Sequence, residues 1–300
     1  MKEQKMRRGF YRTGRTLLAS NQQLFIRVYD RFDARSRPQS SPVLTDASNP
    51  LNRVVQDLHR DGFARWPGLF SGEDFLKEAR KQTLEALSLS TQAFESSDGR
   101  RVIRDLKRQW EFWRGIDPND GRTRTMIPND TKGVRPSAIQ KVMEDSRLQQ
   151  VVDRYYGQVN KAWCKYVLCE QLHQTPVSDV WHFDKLFDQI KVMILLSDVG
   201  PENGPIRYKL GTHRRPKQID HFYYHTFRSG LDFAYPPKPM VDQLPGEVVL
   251  GTGQAGDCLF FDTLGIHSGT PCLKDDRLIL VSAFNVSTLK NNILYQMMFG

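Results

Sequence analysis

The chain has 300 residues, 39% of them hydrophobic and 11% aromatic, which is enough to bury a sizeable core and too apolar for a disordered protein. Its longest unbroken apolar run, Val192 to Leu196, falls far short of the ~20 residues that cross a bilayer. The N-terminus carries neither the apolar block nor the small-residue cleavage site of a secretory signal, so a cytoplasmic address is expected. Of the formal net charge of +9, seven units come from residues 1–37, where ten Lys or Arg face three acids; the remainder of the chain is nearly balanced. The cysteines Cys164, Cys169, Cys258 and Cys272 show no paired metal-knuckle spacing and are too few for a disulfide scaffold, so they read as reduced core thiols.

In chain order, residues 16–32 carry Leu17, Leu18, Leu24, Phe25, Val28 and Phe32 at helical spacing, an amphipathic helix behind a basic arm. Residues 33–49, rich in Ser, Pro and Asp, read as a linker, which makes 1–49 an extension and 50–300 a single domain. Residues 51–58 predict a helix and 62–66 a strand, and Ser71-Gly72-Glu73-Asp74 has capping-box character opening a helix to about residue 87. Ser137 is expected to cap one helix through Ile139, Val142, Leu148 and Val152 to about Gly157. From residue 162 the period changes to short β-type runs at 163–172, 180–184, 190–199, 206–210, 247–250, 257–262 and 277–286, separated by Gly, Pro and Asn. Strands in that number, preceded by helices, predict a mainly β fold with flanking helices, a jelly-roll or cupin-like double sheet. The stretches 97–135 and 211–249 are expected to form a lid.

The chemistry concentrates in Trp181-His182-Phe183-Asp184. Residues two apart on an extended segment share a face, so His182 and Asp184 reach one ion while Trp181 and Phe183 turn away. His267, at the end of the apolar run 258–262 and followed by small residues, supplies a third ligand. Two histidines and one carboxylate on one side of an ion leave the opposite positions open, which suits iron(II) binding a keto acid and then dioxygen. Arg277, ten residues on, can grip a distal carboxylate with two parallel hydrogen bonds.

In order, His182-X-Asp184, the turn Glu202-Asn203-Gly204-Pro205 leading to Leu210-Gly211-Thr212-His213, and Gly256-Asp257-Cys258-Leu259-Phe260-Phe261-Asp262 with His267 and Arg277 resemble the phytanoyl-CoA dioxygenase family. Asp61 to Phe70 looks like that family's first strand, and the resemblance covers roughly residues 50 to 290. It implies a double-stranded β-helix, iron(II) as metal, 2-oxoglutarate and O2 as co-substrates, and oxidative decarboxylation to succinate and CO2 coupled to attack on a substrate C–H. It differs in having Leu210 where the family usually has Pro, and it places the small polar residue near the distal histidine at Ser268 or Thr270, either of which would give the co-substrate's second contact. Related halogenases have a small residue in place of the carboxylate, so Asp184 favours hydroxylation.

Other motifs carry less. Gly251-X-Gly253-X-X-Gly256 spells a dinucleotide fingerprint, but a strand rather than a helix follows it. His221 and His225 share a helical spacing without the Glu of a metalloprotease, and His213 reads as a structural turn residue. Lys191 is the one charge on the run 190–196 and can reach substrate or co-substrate; the bland alternative is a side chain snorkelling to the sheet rim. Tyr166, Gln171 and Tyr208 are weaker candidates of the same kind. The basic arm 1–37 has three readings: solvated chain, peripheral contact with an anionic membrane face, and nucleic-acid binding, the last disfavoured because the body lacks a basic, aromatic-interleaved patch.

The expected function is hydroxylation of an aliphatic C–H of a small-molecule, lipid- or sugar-linked metabolite. Desaturation, epoxidation or ring formation at the same iron is the nearer alternative, and a non-catalytic ligand-binding module on the same fold the farther one. Neither substrate nor oligomeric state is coded in a readable motif.

Overall fold

The computed structural model describes residues 13–32, 46, 48–92, 101–105, 110–117, 122–129, 135–176, 180–184, 189–229 and 234–286. Its strands in chain order are β1 (Phe63–Trp66), β2 (Arg101–Asp105), β3 (Trp110–Asp117), β4 (Arg122–Pro128), β5 (Ala162–Leu172), β6 (Ile190–Leu195), β7 (Ile206–Lys209), β8 (Val248–Leu250), β9 (Cys258–Asp262), β10 (His267–Gly269) and β11 (Arg277–Val286). Eight form one antiparallel sheet in the order β1-β9-β6-β11-β5-β4-β3-β2, and β10-β7-β8 form a second. This is the expected mainly antiparallel double sheet with flanking helices.

Alternation along the strands assigns the two faces of the large sheet. Met193, Leu195, Leu259, Phe261, Ile279 and Val281 point inward and meet Ile206 and Tyr208 of the small sheet in one apolar cluster. Val192, Ile194, Phe260, Leu280 and Phe284 point outward into a larger cluster with Val54, Leu58, Ile139, Leu148 and Val152. Those last residues are the apolar stripes of helices Pro50–Asp61, Ser137–Glu144 and Ser146–Tyr155. The helices thus cover the outer face, and the inner face is left for the site.

Several local expectations need correction. Helix Glu73–Gln92 forms, but the Ser71 hydroxyl donates to Gly68 O rather than closing a capping box. The single helix expected from Ser137 is two. Asp145 interrupts it with extended backbone and caps the second helix by accepting from Arg147 N and Leu148 N. The first helix is capped not by its own serine but by Gln82, whose carbonyl accepts from Ala138 N at 3.0 Å. The stretch 97–135, expected as a lid, contributes β2, β3 and β4, which extend the large sheet beyond β5. Residues 180–184, expected as a strand, hold only isolated bridges from His182 and Phe183.

The amphipathic N-terminal segment is broken at Asn21, whose side chain accepts from Leu24 N at the start of helix Gln22–Phe32. Its apolar side lies on the body. Phe25 is fully buried, stacks on Phe227 at 4.5 Å between ring centroids, and also meets Tyr224 of helix Asp220–Ser229. Tyr224 Oη donates to Ala19 O, and Arg215 pairs with Asp30 while lying 4.7 Å over the Tyr29 ring. Among the described residues, no helix is long and apolar enough to cross a membrane.

Removing a fully buried phenylalanine costs roughly 3–5 kcal/mol. Phe25→Ala should therefore lower the denaturant-unfolding stability of the whole protein by about that amount. A change near zero would show that the N-terminal helix is not part of the cooperative fold.

Candidate active site

Two segments distant in sequence meet at the inner face of the double sheet. His182 and His267 form an antiparallel bridge, His182 N donating to His267 O at 2.9 Å and His267 N to His182 O at 2.8 Å. Asp184 N donates to Thr263 O at 2.8 Å, so the His-X-Asp segment is tied twice to the turn that carries His267. That turn is itself fixed. Asp262 Oδ1 accepts from Leu264 N and its Oδ2 from Tyr155 Oη, both at 2.8 Å, while Tyr208 Oη donates to Asp262 O at 3.0 Å. Gly265 is required there because a Cβ would run into the Tyr208 phenol. Phe183, facing away from the ligands, stacks on Tyr223 at 4.2 Å.

His182, Asp184 and His267 each offer one donor atom within 4.8 Å of the others, and they are the one such group among the described residues. His182 Nε2 lies 3.7 Å and His267 Nε2 3.8 Å from Asp184 Oδ1. A carbonyl only accepts, so the bonds from His182 Nδ1 to Val180 O (2.9 Å) and His267 Nδ1 to Gly265 O (2.8 Å) put the ring proton on Nδ1 and the lone pair on Nε2. Asp184 Oδ1 is buried with no hydrogen-bond partner among the described residues. A buried carboxylate oxygen facing two imidazole lone pairs is unfavourable by itself and is satisfied by a cation between them.

Charge around the cluster points the same way. Burial opposes ionisation of Asp184, but the Lys191 ammonium leads the charges that outweigh it, and the carboxyl is held down to about 2. Burial, with His182 adding to it, pushes the His267 imidazole down to about 3, so the ring is neutral as a metal ligand must be. Lys191 Nζ donates to Asp184 Oδ2 at 2.5 Å. Burial works against its ammonium, while Asp184 and then Tyr166 keep it above the ordinary lysine value.

Arg277, buried at the start of β11, sits on the inward face with Ile279 and Val281. Its Nη1 donates to Gly204 O and its Nη2 to Glu170 of β5, while Nε is buried without a hydrogen-bond partner among the described residues. Glu170 also accepts from Arg124 Nε at 2.7 Å. Two guanidinium groups therefore share one buried carboxylate, and Arg277 keeps a donor for a further anion. Glu170, Arg124 and Tyr235 were not read from the sequence as site residues. Glu170 and Arg124 lie in segments whose strand register alone brings them face to face.

Ser268 and Thr270 are not brought to the cluster. Ser268 pairs in register with Arg207 and accepts from its Nε at 2.5 Å, on the face of β10 opposite His267; Thr270 donates to Pro205 O at 2.7 Å. His213 lies in a short turn with its Nε2 3.4 Å from His59 O, a structural position as expected. His221 and His225 are exposed on helix Asp220–Ser229. The glycine-rich run 251–256 leads into β9, not into a helix, which removes the dinucleotide reading. Access to the cluster is from the His182 side, since that side chain is 15% exposed against 3% for Asp184 and 5% for His267. Tyr235, exposed, stands beside it with its ring centroid 6.1 Å from the His182 ring.

The profile of the phytanoyl-CoA dioxygenase (PhyH) family matches residues 58–276. The chain belongs to the phytanoyl-CoA dioxygenase family. Membership makes it an iron- and 2-oxoglutarate-dependent oxygenase, and the donor set just described fits both: neutral imidazoles and an orphaned carboxylate oxygen for the metal, and a buried guanidinium with a spare donor for a carboxylate. No curated protein matches the chain in sequence. Among solved structures it is similar to the ectoine enzyme EctD from S. alaskensis, crystallised with 2-oxoglutarate and 5-hydroxyectoine (16% identity, TM-score 0.56, covering 83% of this chain and 82% of that one). It is also similar to the non-haem α-ketoglutarate-dependent epimerase SnoN from nogalamycin biosynthesis (16%, 0.54, 79% and 83%). The carbocyclase SnoK from the same biosynthesis is a third (15%, 0.52, 77% and 82%). At these identities the likeness is one of fold.

Glu170 provides a pH test. Burial raises its carboxyl, but Arg124, Arg277 and Arg122 outweigh that and hold it from the ordinary 4.5 down to about 2. A carboxyl depressed on folding contributes stability that is complete above its unfolded value and is lost as pH falls through its folded one. Stability should therefore drop between about pH 4.5 and pH 2. Glu170→Gln should flatten that segment and, by leaving buried guanidinium groups uncompensated, cost roughly 3–5 kcal/mol at neutral pH in denaturant unfolding.

Proposed function

We propose that the protein hydroxylates an aliphatic C–H of a small-molecule, lipid-linked or sugar-linked metabolite, consuming O2 and 2-oxoglutarate and releasing succinate and CO2. The observation that carries this reading is the convergence of His182 Nε2, Asp184 Oδ1 and His267 Nε2, with the two Nδ1 atoms and Asp184 Oδ2 already engaged elsewhere. Iron with 2-oxoglutarate and O2, when bound, supplies the oxidant that replaces C–H by C–OH. The residues of the chain hold and shield that chemistry. His182, Asp184 and His267 would hold the metal on one side and leave the other open, Arg277 would receive the far carboxylate of 2-oxoglutarate on its Nε side, and the Phe261 ring, 5.2 Å from that of His267, gives the site an apolar wall. Asp184 occupies the position that a halide would need, which supports oxygen transfer rather than halogenation.

Desaturation, epoxidation or ring formation by the same centre is the second reading. It is favoured by the fold being shared with an epimerase and a carbocyclase, because one fold there accompanies different reactions. The pose of the substrate past His182 and Tyr235 would then decide the product. Phe25 and Tyr29 are spent on packing against the body, so a peripheral contact of residues 1–37 with an anionic membrane would draw on the basic residues and not on these two rings.

Anaerobic addition of ferrous iron and 2-oxoglutarate should give a weak visible charge-transfer band, and air should then give slow succinate formation. Asp184→Ala should abolish both. Arg277→Lys, whose single ammonium cannot serve Gly204 O, Glu170 and a further carboxylate from one plane, should weaken 2-oxoglutarate binding at least ~10-fold with the metal still bound. Purified protein that takes up no stoichiometric iron after reconstitution would point instead to a non-catalytic binding module.

A further inference from the structure

We infer that Lys191 is a positioning residue for Asp184: it holds Oδ2 of the carboxylate so that only Oδ1 can reach the metal, keeping one more position on the ion open than the carboxylate would otherwise leave. The inference rests on the metal reading above and adds a residue that bonds the ligand carboxylate through the oxygen turned away from the two imidazoles.

The two oxygens of Asp184 have opposite surroundings. Oδ1 faces both Nε2 atoms and has no hydrogen-bond partner among the described residues, whereas Oδ2 receives the Lys191 ammonium at 2.5 Å. The lysine comes from an adjacent strand, not from the ligand segment. On β6 it is paired in register with Phe261 of β9 and Ala283 of β11, and the small Ala283 beside it leaves room for the long side chain on the inner face. Asp184 N is fixed independently by Thr263 O, so the lysine acts on the carboxylate's rotation rather than on its backbone.

An ammonium beside a divalent cation repels it, so this placement weakens metal binding unless it serves another end. A carboxylate free to rotate can chelate through both oxygens, as Asp and Glu do on larger sites. On an octahedral ion that would leave too few positions for a bidentate keto acid and O2 together. Tying Oδ2 to a donor prevents this. The essential property is then the hydrogen bond to Oδ2, and the charge is secondary.

The test uses the full-length protein loaded with Mn(II), counting exchangeable water ligands by water-proton relaxation. The parent should show three waters, and one after 2-oxoglutarate is added. Lys191→Met, of similar shape and without a donor, should show two and then none. Lys191→Gln, which keeps an N–H donor without the charge, should retain three. A parent with two waters overturns the inference without recourse to any variant, as does Lys191→Met with three. A parent that binds Mn(II) with three waters but loses none to 2-oxoglutarate would instead count against the proposed function and leave the role of Lys191 standing.

Discussion

The reciprocal pair of backbone hydrogen bonds between His182 and His267 joins segments 85 residues apart and brings their side chains to one point. Each such bond contributes only about 1 kcal/mol net, so its importance is geometric. With Asp184 N held on Thr263 O, the distance between ligand backbones is no longer free. The supports behind this bridge are arranged to keep it rigid: the Asp262 carboxylate bonded to Leu264 N and Tyr155, the Tyr208 phenol against a residue that must be glycine, and Phe183 stacked on Tyr223. A cation site built on two bridges and a turn needs such bracing because residues 180–184 have no sheet ladder of their own.

The second theme is incomplete satisfaction of buried polar groups. Most buried donors and acceptors in folded proteins are paired, yet Asp184 Oδ1 and Arg277 Nε, both toward the inner face of the double sheet, have no hydrogen-bond partner among the described residues. One is an acceptor beside two lone pairs and calls for a cation; the other is a cationic donor and calls for an anion. Glu170 shows how far the chain goes to compensate its own charges, bridging Arg124 and Arg277, and how it stops short of filling the last donor. Apolar burial supplies most of the stability that tolerates these two costs.

The N-terminal helix changes how the basic extension is understood. A helix with an apolar stripe behind a basic arm reads equally as a membrane-surface element or as a piece of a core. Phe25 on Phe227 and Arg215 between Tyr29 and Asp30 place Gln22–Phe32 on helix Asp220–Ser229, whose Tyr223 in turn stacks on Phe183. The extension is thereby connected by three ring contacts to the segment bearing two metal ligands, although the family match begins only at residue 58.

The metal ligands were legible in the sequence because alternation on an extended segment depends on local geometry alone: His182 and Asp184 share a face whether or not a ladder forms around them. The inner and outer faces of β6, β9 and β11 were not legible there, because both are apolar and only the packing against the small sheet or the helices tells them apart. What the sequence could not carry was register and partnership. The strands β2 to β4 were hidden because their polar, charge-rich runs resemble a loop until β5 offers them an edge, and Glu170 became a site residue only when β4 and β11 placed Arg124 and Arg277 on either side of it. Ser268 could be assigned to the co-substrate from its position next to His267, but a one-residue step reverses the face, and it bonds Arg207 on the far side. Lys191 was visible as an anomalous charge on an apolar strand, while its partner, seven residues earlier, lay outside that strand. Residue type and spacing therefore determined which atoms could bind iron, and long-range pairing, which no local pattern encodes, decided which charges surround them.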